Sequence, residues 1–271
     1  MQNYSVLMSV YYKENAKYLK ESIESMLKQT VITNDFVIIE DGTLTSELEN
    51  VILFYEKKYK NIFHVIRNKN NKGLGLALRE GILSCKNELI ARMDSDDYSI
   101  PTRIEKELKI LNQKELDMVG SNVLEFIDEL NNIQSKVKLP ETNDEIVKYS
   151  KKRNPMRHPT ILYRKSSVLK SGNYKECYLC EDYDLWIRMI KNQCKIYNIQ
   201  ENLVYMRINK DFYKRRGGIK YLKSIYKFKK YQFDTGYYTL FEFLKTMIPH
   251  AIVCLLPNEI RDWVYKKMLR K

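Results

Sequence analysis

Asp94 and Asp96 stand two residues apart in ARMDSDDYSIP, directly after an apolar run. Two carboxylates on short stems suit a hard divalent cation. Mg2+ takes one or two protein carboxylates and completes its shell with water and substrate phosphate. Taken alone, the same residues also read as an acidic turn or a helix cap, so their position in the fold has to decide. Glu181-Asp182 opens EDYDLWIRMIKN. That pair either complements a helix dipole or holds a general base at a rigid helix start. Asp41 follows the run FVIIE, and Ser9 and Tyr11 close the first apolar run of the chain. Lys72-Gly73-Leu74-Gly75 falls short of a dinucleotide fingerprint, because Leu78 replaces the third glycine, and it lacks the Gly-Lys-Ser/Thr of a P-loop. It reads as a helix start with Lys72 as an anion contact. His158 has no second His or Cys at metal-ligand spacing, so no zinc site is expected.

The elements that must position these groups alternate. Residues 5–10, 36–39, 63–67 and 89–93 read as buried strands, and residues 18–28, 48–59 and 74–84 as amphipathic helices. That rhythm predicts βαβ units and a mostly parallel sheet flanked by helices. Such sheets bind ligands beyond the carboxyl ends of their strands. Tyr11, Asp41 and the Asp94–Asp97 cluster all follow strands, so all should converge on one edge. Farther on, the pattern predicts a helix over 102–112, a strand over 118–126 and polar, irregular chain over 128–159. A strand follows over 160–163, a helix over 181–192 and two short strands over 195–199 and 203–207. From residue 214 the chain reads as basic helix.

The net charge of +13 is uneven. Residues 205–271 hold 16 Lys+Arg against 5 Asp+Glu, while residues 1–204 hold 31 against 29. A nearly neutral body thus carries a basic tail, which favours a polyanionic surface, either acidic lipid or nucleic acid. In YLKSIYKFKKY, residues 221–231, lysines interleave with Tyr and Phe. Met247, Ile248, Ile252, Val253, Leu255 and Leu256 add an apolar patch, and Trp263 and Tyr265 stand beside Lys266, Lys267, Arg270 and Lys271. Residues 240–256 are interrupted by Glu242, Lys245, Pro249 and His250, so they lack the ~20 apolar residues of a spanning helix. The expectation is helices lying on the inner face of the cytoplasmic membrane. The alternative is a patch packed on the body or forming a homodimer contact. The first residues show neither a basic n-region nor a long apolar h-region, so no signal peptide is expected. Five cysteines at irregular spacing, Cys177-x-x-Cys180 among them, predict reduced thiols and a cytoplasmic protein.

Together these segments resemble glycosyltransferase family 2, inverting enzymes of the GT-A fold, and in particular the bacterial capsule and exopolysaccharide transferases. The resemblance runs through SVLMSVYYKENAKYLKESIESMLKQT, FVIIEDGT, NKGLGLALREGI, ARMDSDDYSIPTRI, RHPTILYRKS and EDYDLWIRM, covering roughly residues 3–207. It implies a GT-A catalytic domain over 1–207, with a nucleotide-sugar half (1–98) and an acceptor half (99–207), followed by the basic tail (208–271). It implies that Ser9 and Tyr11 line the nucleotide pocket and that Asp41 accepts from the base, which suits uracil. Glu40 stands where many relatives have a first Asp. Asp94 and Asp96 form the D-x-D, Asp96 being the direct ligand to Mg2+ or Mn2+, and Asp182 matches the catalytic base. Arg207 and the Lys214–Gly218 stretch fall where relatives close over the diphosphate. The implied substrates are a nucleotide-sugar donor, UDP-linked, and a saccharide or lipid-linked saccharide acceptor. A nucleotidylyltransferase would show a basic phosphate loop where this chain has Ser9–Glu14. A nucleic-acid-binding protein would show a recognition motif, and none is present.

Overall fold

The structure, a computed structural model, describes residues 2–208, 217–257, 260, 261 and 264. Strand β1 (Tyr4–Val10) is buried at every position but Ser9. Its run is continuously apolar because both faces of the sheet are covered. Val6, Met8 and Val10 enter one apolar cluster and Leu7 the other, the two-residue alternation of a strand between two layers. β1 pairs in parallel with β2 (Asp35–Glu40) on one side and with β4 (Leu89–Arg92) on the other, and β2 pairs with β3 (Phe63–Arg67). The crossovers are α1 (Ala16–Leu27), α2 (Ser46–Lys58) and α3 (Leu74–Ser84), as parallel pairing requires. Asn15 starts α1 by accepting the N–H groups of Lys17 and Tyr18, and the helix buries Leu19, Ile23 and Met26. Helices α1, α2 and α4 (Arg103–Gln113) cover one face, and α3 and α7 (Glu181–Lys191) cover the other.

The sheet continues without a break into the second half. Its order is β3-β2-β1-β4-β8-β6-β9-β5, with β8 (Leu162–Arg164) antiparallel to β4 and β6 (Met118–Phe126), and β9 (Ile196–Arg207) parallel to β6. β5 is Tyr98–Ser99. The parallel pairing among β1–β4 and the helix-flanked layering match the expectation, but the whole sheet is mixed rather than mostly parallel, because β5, β7 (Ile133–Val137) and β8 all pair antiparallel to their neighbours. Details differ. The stretch read as irregular holds β7 and α5 (Asn143–Ser150). β7 is a polar edge strand and α5 buries only Ile146 and Ser150, so neither shows a clear apolar period. The two short strands at the end are one strand, β9, whose register shifts opposite Ser121–Val123. The strand read over 160–163 is a 3₁₀ turn, His158–Thr160, followed by β8. A short helix, α6 (Lys165–Lys170), follows β8.

Beyond β9 lie α8 (Gly218–Asp234) and α9 (Leu240–Leu255), a helical hairpin that packs on α7. Tyr221, Ile225 and Phe228 of α8 and Met247 and Cys254 of α9 close over Cys180 and Ile187. The apolar patch read in the sequence is therefore divided. Met247 turns inward, while Ile248, Ile252 and Leu255 are 54–63 % exposed, in line with Phe241 and Leu244. Among the described residues no helix is long and apolar enough to cross a membrane. The expected clusters at residues 209–216 and at Trp263 and 265–271 lie outside the described residues. The thiols depart from expectation at one place: Cys177 and Cys180 form a disulfide in the turn before α7, their Cα atoms 5.2 Å apart. That turn brings the pair within bridging distance, which spacing alone does not reveal. Cys85, Cys194 and Cys254 are free and buried.

Candidate active site

The edge formed by the strand ends gathers the predicted groups in two places. At the end of β2, Asp41 is almost fully buried, and its carboxylate is occupied. Oδ1 accepts the N–H of Lys72 at 2.7 Å and Oδ2 that of Gly73 at 2.9 Å, while Asn71 Nδ2 donates to the Asp41 carbonyl. Asp41 thus fastens the loop that starts α3. The Lys72 ammonium turns away to Asn68 and Glu80, so its predicted contact with an anion is not the one it makes here. The carboxylate of Glu80 draws it there. Gly73 is the helix N-cap at φ +85, a backbone conformation that side chains disfavour. Gly75 serves a different need: a Cβ there would lie 2.5 Å from the carbonyl oxygen of Lys175, so the glycine lets α3 meet the segment that leads into α7. Ser9 is half-buried on β1 and Tyr11 follows the strand, its ring edge-on to Tyr12. Glu40 is buried beside Arg67 Nε at 3.3 Å, and burial raises its carboxyl above the usual range, with Arg67 opposing.

The second gathering is acidic. The chain leaves β4 through Asp94, Asp96 and Asp97, with Glu14 beside them from the loop after β1. Ser95 Oγ donates to Glu14 Oε2 at 2.8 Å. Removal from water, then the charges of Glu14 and Asp94, push the Asp96 carboxyl up to about 8. Asp97 is held well above its ordinary value in a similar way, by burial first and then by the charges of Asp96 and Asp94. The compensating charge comes from below. Arg92, the last residue of β4, is buried and its Nη2 donates to Asp94 Oδ1. Burial works against its charge, and Asp94 more than restores it. Arg92 Nε and Nη1 find no partner among the described residues.

This crowding fits a cation. Carboxyl groups that raise one another's proton affinity at short range are those a divalent ion would hold ionised. The donors are oxygen only, as Mg2+ and Mn2+ prefer. Among the described residues no group of three or more His, Cys, Asp or Glu side chains could hold a metal ion by itself.

Asp182 lies in the first turn of α7. Its Oδ1 accepts the N–H of Tyr183 at 2.7 Å, and its Oδ2 accepts Asn154 Nδ2 at 2.6 Å. Glu181 beside it is buried, and burial followed by the Asp182 charge lifts its carboxyl to about 8. Arg92 and Asp94 also act on Glu181, which ties α7 to the acidic loop after β4. His158 is neutral and structural. Its Nε2 meets Tyr174 Oη at 2.8 Å, its ring stands edge-on to Trp186, and burial followed by the Arg92 charge holds its pKa well below the ordinary value.

Arg207, expected to reach the diphosphate, is spent on the fold. It is buried between the rings of Tyr18 and Phe126, 3.6 and 4.4 Å from their centroids. Its donors go to the carbonyl oxygens of Asp96 and Asp128 and to Glu21. Aromatic walls and three acceptors leave this guanidinium directed at the protein. Lys214, Arg215 and Arg216 lie outside the described residues. Three residues that the reading missed stand in the site: Glu14, Arg92 and Asn154. Arg92 carried a visible signal, since a charged residue inside an apolar strand must find a partner, and Asp94 lies two residues on.

Comparison with known proteins identifies the family and the fold. The family model described as glycosyl transferase family 2 matches residues 5–172. A protein of Escherichia coli named UDP-Gal:alpha-D-GlcNAc-diphosphoundecaprenol beta-1,3-galactosyltransferase is 38% identical, over 99% of this chain and 97% of its own. The amylovoran biosynthesis glycosyltransferase AmsE of Erwinia amylovora is 30% identical, over 97% and 98%. Among solved structures, a mannosyltransferase of Pyrobaculum calidifontis in complex with GDP-Man and Mn2+ superposes with TM-score 0.67 at 11% identity, covering 96% of this chain and 71% of that one. TarS of S. aureus (its residues 1–349) in complex with UDP superposes with TM-score 0.59 at 18% identity, covering 98% and 87%. At these identities the superpositions speak for the fold.

Proposed function

The chain belongs to glycosyl transferase family 2 and is a glycosyltransferase, and from that premise we propose that it transfers a sugar, with inversion, from a UDP-sugar to a hydroxyl of a lipid-linked saccharide. The observation that best supports this is that the acidic loop after β4 and the start of α7 both lie within electrostatic reach of one buried guanidinium, Arg92, which is bonded to Asp94. Diphosphate chemistry needs the first and acceptor activation the second. The galactosyltransferase relative, named for UDP-Gal and a diphosphoundecaprenol acceptor, supports the choice of donor and acceptor class, and UDP-Gal is the first donor to test. Residues 1–98 would form the donor half and residues 99–207 the acceptor half.

Asp182 takes the proton of the acceptor hydroxyl as that oxygen bonds to the anomeric carbon. The bond from that carbon to the diphosphate breaks on the opposite side, and one displacement inverts the centre. Asp96 and Asp94 would hold Mg2+ or Mn2+. When bound, the metal supplies a Lewis acid that stabilises the charge leaving on the diphosphate. Ser9 and Tyr11 line the nucleotide pocket. Asp41, held by two backbone N–H groups, keeps a lone pair on each oxygen for the base. Like charges at short range leave Asp94 and Asp96 unable to face a diphosphate without a cation. The exposed apolar stripe of α9 and the lysines of α8 support a peripheral place on the inner face of the cytoplasmic membrane, where such an acceptor would lie.

The test is release of UDP from a panel of UDP-sugars with a lipid-linked or short-chain acceptor, for the wild type and Asp182→Asn. The substitution keeps shape and removes basicity. Transfer should fall at least ~10²-fold while UDP still binds. Transfer near the wild-type rate by the variant would remove Asp182 as base.

A further inference from the structure

We propose that Asn154 is a positioning residue for transfer, fixing the Asp182 carboxylate in the orientation from which it receives the proton; this rests on the reading of Asp182 as base. Asn154 comes from neither the strand edge nor α7. It lies in the connection between α5 and the 3₁₀ turn, and its amide is oriented by a second bond. Oδ1 accepts the N–H of Met156 at 3.3 Å, which turns Nδ2 toward Asp182 Oδ2 at 2.6 Å. With Oδ1 of Asp182 held by the N–H of Tyr183 at 2.7 Å, both carboxylate oxygens are pinned and rotation of the group is stopped. A base held this way keeps its carboxylate plane in a fixed direction, which a freely turning carboxylate does not.

The connection that carries Asn154 is itself braced. Asn198 Nδ2 donates to the carbonyl oxygen of Pro155 at 3.1 Å. Tyr183, next to the base, donates through Oη to the carbonyl oxygen of Ser150 at 2.6 Å. Ser150 Oγ meets Tyr237 Oη, and Lys151 Nζ reaches the Tyr237 carbonyl and lies 3.1 Å from Glu242. The base and the amide that orients it therefore share one support, whose far end is the α8–α9 hairpin. An N–H donated to a carboxylate also favours its ionised form, the form a base needs.

The experiment compares Asn154→Leu, which keeps volume and removes the donor, with Asn154→Gln, which keeps the donor on a longer arm. Asn154→Leu should lower kcat by roughly 10²-fold, the usual cost of a small misplacement of a reacting group. Donor KM, UDP affinity and Tm should stay unchanged, and the acid limb of the kcat profile should move to higher pH. Asn154→Gln should recover part of kcat. In the double variant with Asp182→Asn, the Asn154→Leu loss should vanish, since residues acting as a unit are not additive. Unchanged kcat in Asn154→Leu overturns the proposal, and so does a loss in which UDP affinity and Tm fall together. If Asp182→Asn itself retains transfer, the reading of the base fails instead.

Discussion

Asp97 Oδ1 accepts the backbone N–H of Arg207 at 2.7 Å, and Arg207 Nε donates to the carbonyl oxygen of Asp96 at 2.9 Å. The loop after β4 is thereby clasped to the end of β9, 110 residues later in the chain. Arg207→Met keeps an apolar body between Tyr18 and Phe126 and removes the donors. The expected loss of stability is about 1–3 kcal/mol, the cost of buried acceptors left unpaired. Donor affinity should weaken with it, because Asp96 loses its backbone anchor. Unaltered donor affinity in a destabilised variant would separate the clasp from the site.

Transfer should require Mg2+ or Mn2+ and cease in EDTA. Asp96→Ala should abolish activity and the metal-dependent part of UDP binding. Asp94→Ala should cost less, since Asp94 is already engaged by Arg92. Calorimetry of UDP binding with and without Mn2+ checks this, and full activity in EDTA would refute it.

Stability should fall between pH 6.5 and 8. Glu107 is wholly buried, with Oε1 2.9 Å from Arg103 Nε and Oε2 unpartnered among the described residues, and burial pushes it up to about 7. Glu181 reaches about 8. Both folded values lie above the unfolded one. Their contribution is therefore complete below pH ~4.5 and is lost as pH rises through 7 and 8. His158 opposes this only near the lower end, where its unfolded form still loses protons around 6.5, and Lys229, lowered to about 8 by burial, begins to lose its charge only toward the top of the window. Thermal unfolding of Glu107→Gln should show a flatter slope over this window than the wild type. An equal slope would leave Glu107 out of the account.

Ile248→Glu with Ile252→Glu on α9, or Lys223→Glu with Lys227→Glu on α8, should reduce co-sedimentation with phosphatidylglycerol vesicles. The wild type should bind more weakly as salt rises. All four positions are exposed, so Tm should hold. Equal sedimentation by all three proteins would exclude the hairpin. Removing residues after 209 is no substitute for these variants, because it would uncover Cys180, Tyr183 and Ile187.

The first, second and fourth strands were legible because their runs are largely apolar and buried, and Asp41 and Asp94 follow the second and fourth at once. Asp94 and Asp96 follow β4, and Asp182 lies in the first turn of the helix read over 181–192. α5 was not read, although Thr142-x-x-Glu145 is a capping box, as is Thr239-x-x-Glu242 before α9. α5 buries too little for periodicity to reveal it, and its cap is the better signal. Arg207 was assigned to substrate because its place in the chain matches relatives. What it touches depends on Tyr18, Glu21 and Phe126, which only folding brings together. Asn154 is beyond sequence reasoning for the same cause: nothing near it in the chain announces Asp182.

The order of synthesis gives the α8–α9 hairpin a further consequence. It emerges after the sheet and α7, yet Ile187 and Tyr183 of α7 rely on it for cover. At translation rates of 5–20 residues per second, making residues 218–255 takes about 2–8 s. For that interval the nascent chain holds an α7 with one bare apolar face. Arrest or loss of the last helices would leave that face open to chaperones and proteases, so a premature stop in this region should lower the amount of enzyme in the cell before it alters the chemistry.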